Sequence, residues 1–553
     1  MMKYLSTILI AVAIVCLQSV PAQARIYTGD TTGIWKNLPV VTQPVFRKDT
    51  FSIQKYGAVA DGLTLNTTSI NKAIAECNKK GGGVVLVPGG IWLTGPVEMK
   101  SNVNLHVQRD AILLFTTDFD QYPLVEGIYE GKRSARNQSP IWGTNLENIA
   151  ITGSGVIDGN GDVWRMVTKD RFSEGQWKAK VASGGLVSAD GKTWFPSAKT
   201  KLAFEQKRTA AMEGGQTLKD FEDIKDFLRP NLVVFNSCKK VLLEGVTFQN
   251  SPAWCLHPVL CEDLTIRNVF AKNPDYAQNG DGVDVESCKN VLIEGSTFDV
   301  GDDGICIKSG KDEEGRKRGK PTENVIIRNN IVYKAHGGFV IGSEMSGGAR
   351  NIYVYDCSFI GTDIGLRFKT ARGRGGVVEN IYIKNIRMKD IVHDAIFFDM
   401  YYFMKPPAAN EKVEVPVVNE ATPQFRNFYI NNVVCHGAER GIFIRGLPEM
   451  SVKSIFLDNI VVKAKKGAEI IEANGIHLNN VQLYSDKKKP VVYVENGYNL
   501  QFNQLRYASD PELVLSVNGV KSGNITVTNT SIANPDEKIE FNHGANASML
   551  SVK

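Results

Sequence analysis

The chain has 553 residues, enough for one large core or for two domains. Its 64 basic and 59 acidic side chains leave a formal net charge of only +5, which excludes the strongly basic surface of a nucleic-acid-binding protein. An anionic ligand would have to meet a local basic patch instead. Nine cysteines are scattered without the paired spacing of a disulfide scaffold or a zinc site, so we expect small buried residues.

The first 24 residues have the features of a secretory signal. Lys3 supplies a positive charge, residues 5–17 form a short apolar run, and Ala22-Gln23-Ala24 offers a small-residue cleavage site. That run is too short to predict a membrane span, and no later stretch is long enough. We therefore expect export to the periplasm, the cell surface or the extracellular medium, with residues 25–553 as the mature domain.

A helix is predicted near the start of the mature chain. Its apolar residues recur at i, i+3, i+4 and i+7, and glycines 81–83 end it. Residues 84–107 then alternate β-like runs with glycine turns. We expect the helix to cap the open end of a stack of strands, whose backbone groups would otherwise be unpaired. The apolar face consists of Ile70, Ala73, Ile74 and Cys77.

A short unit recurs between residues 148 and 480. It has apolar residues at alternate positions, followed by Asn, Asp or Gly, which favour a turn in the left-handed backbone region. A unit this short cannot bury its own apolar face, so successive units must stack. The pattern predicts an all-β fold, a parallel β-helix; a propeller or sandwich would need a more regular period. The units begin at Asn148, Lys240, Asp263, Asn290, Asn324, Asn351, Asn380, Asn427, Ser454 and Gly475.

Two long loop insertions interrupt the repeat, at about 161–229 and 402–424. The first is rich in charged residues and contains Trp164, Trp177 and Trp194. Excursions of this length are usually functional or disordered. We expect both insertions to lie outside the stack of strands.

Candidate acid/base residues lie in the middle of the chain. Asp281 and Asp302 are 21 residues apart, one short coil, so they can lie on adjacent rungs about 4.8 Å apart, with Asp303 beside them. Three carboxylates this close cannot all ionise freely, and their repulsion should raise the pKa of at least one. A protonated acid beside an ionised base is what glycoside hydrolysis requires. We interpret Asp284, in contrast, as a turn residue.

Titratable and cationic side chains follow on the next coils. His336 is expected to hydrogen-bond near the general acid and tune it. Arg367 and Lys369 are two residues apart, so their side chains leave a strand on the same side. Two such cations need an anion between them, and a sugar carboxylate would satisfy both. Lys308 is expected to extend this cationic groove as a further substrate-binding residue.

Four segments together resemble the signature segments of the polygalacturonase family, glycoside hydrolase family 28, whose members are pectin-degrading, single-stranded right-handed parallel β-helix enzymes. Residues 51–107 are also similar to the N-terminal portion of pectin-degrading β-helices. The departures from the usual pattern remove no charged or titratable group and bear only on substrate fit; they are Gly280, Ala335 and Phe368. The usual segments NTD, GDD, GHG and RIK read here as Asn279-Gly280-Asp281, Gly301-Asp302-Asp303, Ala335-His336-Gly337 and Arg367-Phe368-Lys369.

The resemblance implies a function and residue roles. Asp302 would be the general acid, Asp281 and Asp303 would hold and deprotonate the attacking water, and the anomeric carbon would be inverted. The substrate would be α-1,4-linked galacturonic acid in pectin or its oligosaccharides, cleaved without a metal or other cofactor. The two insertions favour walls that close one end of the groove, and hence release of terminal units.

Three alternatives stay open at this point. The first is a rhamnogalacturonan or xylogalacturonan hydrolase on the same fold. The second is a pectate-lyase-like enzyme, which needs calcium-binding carboxylates and a cationic base. The third is a β-helix that binds glycans without cleaving them.

Overall fold

The structure, a computed structural model, describes residues 33–407, 414–508 and 511–553. The described residues divide into a first unit, of which residues 33–37 are described, and a compact second unit that starts at residue 38. The described part of the first unit contains the 3-10 helix Ile34–Lys36, while the predicted signal segment lies outside the described residues. Within those three ranges, no helix has the length and apolar character needed to cross a bilayer.

Residues 38–553 fold as a right-handed parallel β-helix, as predicted. Each strand of the stack pairs in parallel with the equivalent strand of the next coil, so three parallel sheets run through the stack. Apolar side chains at alternate strand positions point into one continuous core, which explains the period of two in the repeat. Single coils are stable only because their neighbours cover them.

Sheet 1 carries the candidate site. Two of its strands, Lys466–Ser485 and Val492–Asn503, are long and continue into the other sheets. The remaining strands are Val97–Glu98, Ile141–Thr144, Val233–Asn236, Leu256–Val259, Val283–Glu286, Asp303–Lys308, Gly337–Ile341, Leu366–Lys369, Asp394–Asp399, Arg440–Arg445, Leu515–Asn518 and Ile539–Asn542.

Sheets 2 and 3 share the long strands of the later coils, namely Ala349–Ile360, Val377–Lys389, Gln424–His436 and Val452–Ala464. The other strands of sheet 2 are Thr50–Ser52, Gly83–Val87, Val103–Val107, Glu147–Gly153, Lys239–Glu244, Glu262–Arg267, Lys289–Glu294, Thr322–Arg328, Gly523–Thr528 and Leu550–Val552. Those of sheet 3 are Gly90–Thr94, Ala111–Phe115, Val156–Asp158, Thr247–Gln249, Phe270–Lys272, Thr297–Asp299, Ile331–Tyr333 and Arg506–Tyr507.

Asparagines at the turns take the left-handed conformation, as the repeat predicts. Asn324 has φ 58° and Asn351 has φ 56°, a region that L-residues other than Asn and Asp seldom adopt. Their side chains also form a ladder, because Asn351 donates to Asn324 at 3.3 Å and Asn324 donates to Asn290 at 3.2 Å. The recurrent Asn therefore both turns the chain and links successive coils.

The predicted capping helix is α1 (Thr67–Lys79). It buries Ile70, Ala73, Ile74 and Cys77 in the same core as the first strands, which confirms the predicted face. Four short helical segments lie elsewhere on the stack: Ile53–Tyr56, Phe119–Gln121, Asp312–Arg318 and Pro535–Lys538, with Ala547–Met549 near the C-terminus. All eight cysteines of the described residues are buried and unpaired, as expected.

Residues between the strands Val156–Asp158 and Val233–Asn236 add no strand to the three sheets. Trp177 and Trp194 pack with Val167 in a small core of their own. The elements of this excursion are the α-helices Glu174–Ala182 and Ala198–Glu205, the 3-10 segments Gly161–Val163, Lys169–Arg171 and Leu218–Phe227, and a three-stranded antiparallel sheet of Val167–Thr168, Leu186–Val187 and Thr193–Phe195.

A second element outside the stack is an antiparallel hairpin, which the sequence did not single out. Its strands are Leu124–Tyr129 and Lys132–Asn137. The predicted second insertion, at about 402–424, begins after the strand Asp394–Asp399 and ends where Gln424–His436 starts, and residues 408–413 of it lie outside the described residues.

Candidate active site

The three predicted carboxylates meet on sheet 1. One oxygen from each of Asp281, Asp302 and Asp303 lies within 4.8 Å of the others. Their register differs from the prediction, because Val283 pairs with Ile305 and the same register carries Asp281 opposite Asp303, not opposite Asp302. The Gly282 amide accordingly donates to the Asp303 carbonyl at 2.9 Å.

The environment separates the three carboxylates electrostatically. Burial, reinforced by the neighbouring carboxylates of Asp284, Asp302 and Asp303, raises the pKa of Asp281 well above its ordinary value. Burial also acts to raise the pKa of Asp303, but Lys369 and Arg367 outweigh it and hold that pKa below its ordinary value. The Asp302 side chain is the most open of the three, 22% exposed against 2% for Asp303. Repulsion contributes as expected, but burial has the larger effect on Asp281.

Arg367 and Lys369 leave their strand on the same side and both contact Asp303. Lys369 Nζ lies 2.7 Å from one Asp303 oxygen, and Arg367 Nη1 lies 3.2 Å from the other. The anion between the two cations therefore belongs to the protein, and a substrate carboxylate is not needed to balance them. Arg367 Nε is buried and has no hydrogen-bond partner among the described residues, while the side chain as a whole is 16% exposed.

His336 lies beside Asp302. Its Nδ1 is 3.1 Å from an Asp302 oxygen, and its backbone amide donates to the Asp302 carbonyl at 2.9 Å. On its other side, Nε2 lies 3.8 Å from Asp363. The hydrogen bond that His336 donates to the Asp302 carboxylate raises the pKa of His336 and outweighs its partial burial. His336 is thus held against the most exposed of the three carboxylates.

Lys308 does not line an open groove, contrary to the prediction. It is buried, with Nζ 3.0 Å from Glu344 and 3.6 Å from Asp284. Asp284 is likewise no turn residue: it lies in the strand Val283–Glu286, fully buried, and burial raises its pKa despite Lys308. An outward-facing strand position is therefore not always exposed: Lys308 is enclosed by Trp254, whose ring centroid lies 4.9 Å from Nζ, and by Glu344. Together Lys308, Asp284 and Glu344 form a charged layer behind the carboxylates.

The three departures from the usual motif are all buried. Phe368 points into the core between Arg367 and Lys369, where its ring lies 4.5 Å from that of Phe398. Ala335 is fully buried, and a Cβ on Gly280 would lie 2.8 Å from Ala277. These positions therefore bear on packing, not on substrate fit as predicted.

Two site residues were missed by the sequence analysis. Glu344 pairs with Lys308, and burial is outweighed by Lys308 and Lys369 so that the pKa of Glu344 falls to about 2. The Tyr402 ring lies 5.0 Å from Lys369 Nζ and covers the cation pair. Tyr402 opens the second predicted insertion just after a sheet 1 strand, and that position was a usable signal; Glu344 offered none.

Comparisons with known proteins place these features in one family. The profile of Glycosyl hydrolases family 28 matches residues 169–424, which include all four motif segments. A "Probable polygalacturonase" of Vitis vinifera is 29% identical over 434 residues, 76% of each chain. An "Exo-poly-alpha-D-galacturonosidase" of Dickeya chrysanthemi is 28% identical over 517 residues, 91% of this chain and 79% of that one.

Solved structures agree. A hyperthermoactive exopolygalacturonase from Thermotoga maritima superposes with a TM-score of 0.63 and 32% identity, covering 84% of this chain and 94% of that one. A family 28 exopolygalacturonase of Yersinia enterocolitica, at 21% identity and a TM-score of 0.57, shares the fold. With its β-helix, its clustered carboxylates and these relatives, the chain belongs to family 28 of the glycosyl hydrolases.

Proposed function

We propose that this glycoside hydrolase cleaves α-1,4 links between galacturonic acid residues of pectin or its oligosaccharides. The observation that carries the proposal is the juxtaposition of an accessible acid, Asp302, with the cations Arg367 and Lys369 across the buried Asp303. Asp302 can protonate the glycosidic oxygen while the partly exposed side chain of Arg367 binds a sugar carboxylate. The relatives named polygalacturonase support this substrate class.

In the proposed mechanism Asp302 donates its proton to the leaving glycosidic oxygen. Asp303, kept ionised by Lys369 and Arg367, orients a water together with Asp281 and accepts the proton that the water loses as it bonds to the anomeric carbon. His336 positions Asp302 through its Nδ1 contact. Lys308 acts electrostatically from beneath, rather than by touching the sugar.

We propose inversion at the anomeric carbon, although the 4.8 Å limit between carboxylate oxygens is shorter than the roughly 6.5–9.5 Å typical of inverting enzymes. Asp281 and Asp303 are 3% and 1% exposed, and both Asp303 oxygens are engaged by cations. Both carboxylates are too deeply buried to bond to a sugar carbon directly. We therefore propose that a water molecule, which is smaller, is the nucleophile. Nuclear magnetic resonance of the first product should show the β anomer; an initial α anomer would rule this out.

The decisive test of the function is Asp302→Asn, assayed for new reducing ends on polygalacturonate. Loss of the general acid should lower kcat by at least about 100-fold while binding of the polymer persists. Asp356→Asn is the matched control, because Asp356 lies in a left-handed turn that Asn also tolerates. An Asp302→Asn enzyme as active as the control would refute the assignment.

We also propose release of terminal units. The hairpin Leu124–Tyr129/Lys132–Asn137 packs through Ala135 against Phe221, Ile224 and Leu228 of the excursion, so the two elements form one wall close to Asn279. Galacturonate or a single small product should therefore accumulate from the first minutes of digestion. A ladder of mixed oligomers at early times would indicate internal cleavage instead.

Two alternative activities have their own readouts. A substrate panel separates rhamnogalacturonan and xylogalacturonan hydrolases from the proposed one. The carboxylate cluster also has the oxygens with which a lyase would bind calcium, but Arg367 and Lys369 already neutralise Asp303. Loss of activity with a chelator, together with products that absorb ultraviolet light, would establish a lyase. An inactive protein that still binds pectin would be a glycan-binding module.

We further propose that the protein is exported, since its polymeric substrate lies outside cells. The signal-like residues 1–24 support this. N-terminal sequencing of protein recovered outside the cytoplasm should begin near Arg25; an intact N-terminus on cytoplasmic protein would contradict export.

A further inference from the structure

A cavity of about 390 Å³ lies between the hairpin and the excursion. It reaches Asn279, the first residue of the segment Asn279-Gly280-Asp281, so it opens beside the carboxylate cluster. Its volume falls within the range of about 300–1,000 Å³ that is usual for small-ligand sites. Five cationic side chains and two acidic ones line it, and the cations are Lys132, Arg136, Arg208, Arg229 and Lys311.

Three of the five cations are already neutralised by carboxylates. Lys132 lies 3.3 Å from Asp312, and Lys311 lies 3.3 Å from Glu130. Arg208 pairs with Asp223 at 3.0 Å. These pairs fasten the hairpin and the excursion to the rim of the cavity, and they leave little positive charge for a ligand.

Arg136 and Arg229 differ from the other three, because neither forms a salt bridge within the described residues. Arg136 donates to the backbone oxygen of Arg229. Arg229 donates to the backbone oxygens of Pro252 and Gln278 at 3.0 and 2.8 Å, and to Asn279 Oδ1 at 2.9 Å. Carbonyl and amide oxygens bear partial charges only, so neither guanidinium has a contacting counter-anion among the described residues.

Arg136 is also rigidly held. Its guanidinium lies 3.6 Å from the centroid of the Tyr129 ring, and Tyr129 packs on Trp254 at 4.9 Å. Trp254 is packed in turn against Lys308, whose Nζ lies 4.9 Å from the centroid of the Trp254 ring. Burial lowers the pKa of Arg136 to about 10, opposed by Tyr129 and reinforced by Arg229, so the group is still charged at neutral pH. A buried, charged guanidinium group without a counter-anion costs folding free energy, and a ligand that supplies the anion would remove that cost.

We propose that Arg136 and Arg229 form a second carboxylate subsite, which binds the acid group of a galacturonate residue other than the one held by Arg367 and Lys369. This inference rests on the proposed function. Two planar guanidinium groups suit a carboxylate, which would accept from the N–H donors that the protein oxygens leave open. The subsite would select substrates by the charge of a sugar outside the reacting centre, and it would fix the position of the chain relative to Asp302.

The test compares Arg136→Gln and Arg229→Gln with the wild type on trigalacturonate. Each variant should raise KM at least about tenfold, the loss expected for one hydrogen bond to a charged group, with kcat within twofold. Arg136→Lys keeps the charge but not the fork, so its KM should be intermediate. Arg426→Gln is the matched control, because Arg426 pairs with Glu379 on sheet 2 and should leave KM unchanged.

Monomethyl esters of trigalacturonate separate charge recognition from a general packing defect. For the ester that masks the carboxylate in question, Arg136→Gln should cause no further loss of kcat/KM, whereas for the other esters the loss should persist. If Arg136→Gln fails to fold, as judged by circular dichroism, Arg229→Gln decides. Unchanged KM in a folded variant, or an equal loss on every ester, would overturn the subsite. A wild type without activity on galacturonate oligomers would instead refute the proposed function.

Discussion

Asp303 keeps its negative charge in a buried position because two cations lie within hydrogen-bond distance of its oxygens. Lys369 Nζ, at 2.7 Å, is itself only 6% exposed, so this ion pair is poorly screened by solvent. The cations lower the pKa of Asp303, so the proposed base stays ionised below the pH at which an ordinary aspartate is protonated. The same pair couples activity to stability, since removing either partner leaves an unpaired buried charge.

Lys369→Met should therefore destabilise the protein by about 3 kcal/mol, as expected when one partner of a buried pair is lost. The control is Lys317→Met, whose pair with Glu313 is 75% and 69% exposed and should change stability by less than about 0.5 kcal/mol. Denaturant unfolding monitored by tryptophan fluorescence measures both. Because the pKa of Asp303 is lowered, its stabilisation is complete above the ordinary aspartate pKa of about 3.9 and is lost only as the pH falls towards the lowered value. The difference between the variants should thus be the same at about pH 5 and pH 7; equal stabilities would contradict the argument.

His336 should set the alkaline limb of the pH–rate profile. The hydrogen bond that His336 donates to Asp302 raises the pKa of His336, so the imidazole stays protonated above its ordinary pKa of about 6.5 and loses its proton as the pH rises further. Asp363, 3.8 Å from Nε2, adds to this effect. Asp363→Asn should therefore move the limb to lower pH by less than about one unit, with little change in the maximal rate. A limb that stays in place would show that His336 is not the titrating group.

Among the structural elements, the turn asparagines and the hairpin are positioned by different kinds of interaction. The Asn ladder follows from a local need, because the chain must turn in the left-handed region at every coil. The hairpin is placed by long-range contacts instead: Arg318 donates to the Gly131 carbonyl, and a Cβ on Gly131 would lie 2.5 Å from the Lys311 nitrogen. A repeat thus builds the stack, while single contacts of this kind place the wall beside the site.

Asn351→Ala should be less stable than Asn351→Gly by about 1 kcal/mol. Both variants lose the 3.3 Å bond to Asn324, but only Ala pays the steric cost of the left-handed backbone at φ 56°. Thermal unfolding of the two variants beside the wild type measures the difference. Equal stabilities would mean that the side-chain ladder, and not backbone conformation, selects Asn at this turn.

At the scale of the whole molecule, the core is continuous but each coil contacts only its neighbours. Phe368 illustrates this, since its ring packs on Phe339, Phe398 and Phe428 of nearby strands. Stability in such a stack is close to a sum over coils and their interfaces. The site spans several coils, so a local packing defect beneath it should loosen the site without unfolding distant coils.

Phe368→Ala should cost about 3–5 kcal/mol and raise hydrogen exchange mainly in the strands Gly337–Ile341, Leu366–Lys369 and Asp394–Asp399. Phe502→Ala is the matched control, because Phe502 is also buried but lies in the strand Val492–Asn503, nearer the C-terminal end of the stack. It should raise exchange around residues 492–503 and spare the site. The same exchange pattern in both variants would show that the stack unfolds as one cooperative unit.

Local patterns in the chain are enough to predict the β-helix, the capping helix and the clustering of Asp281, Asp302, Asp303, Arg367 and Lys369. A period of two and a turn residue are local signals that repeat at every coil, and the motif segments fall on successive coils. Long-range packing, in contrast, buries Lys308 and Asp284 and sets Asp281 opposite Asp303. It also brought Arg136 together with Arg229, 93 residues later. Such placements depend on which distant segments cover a given strand, and contacts between non-repeating segments leave no periodic pattern in the chain.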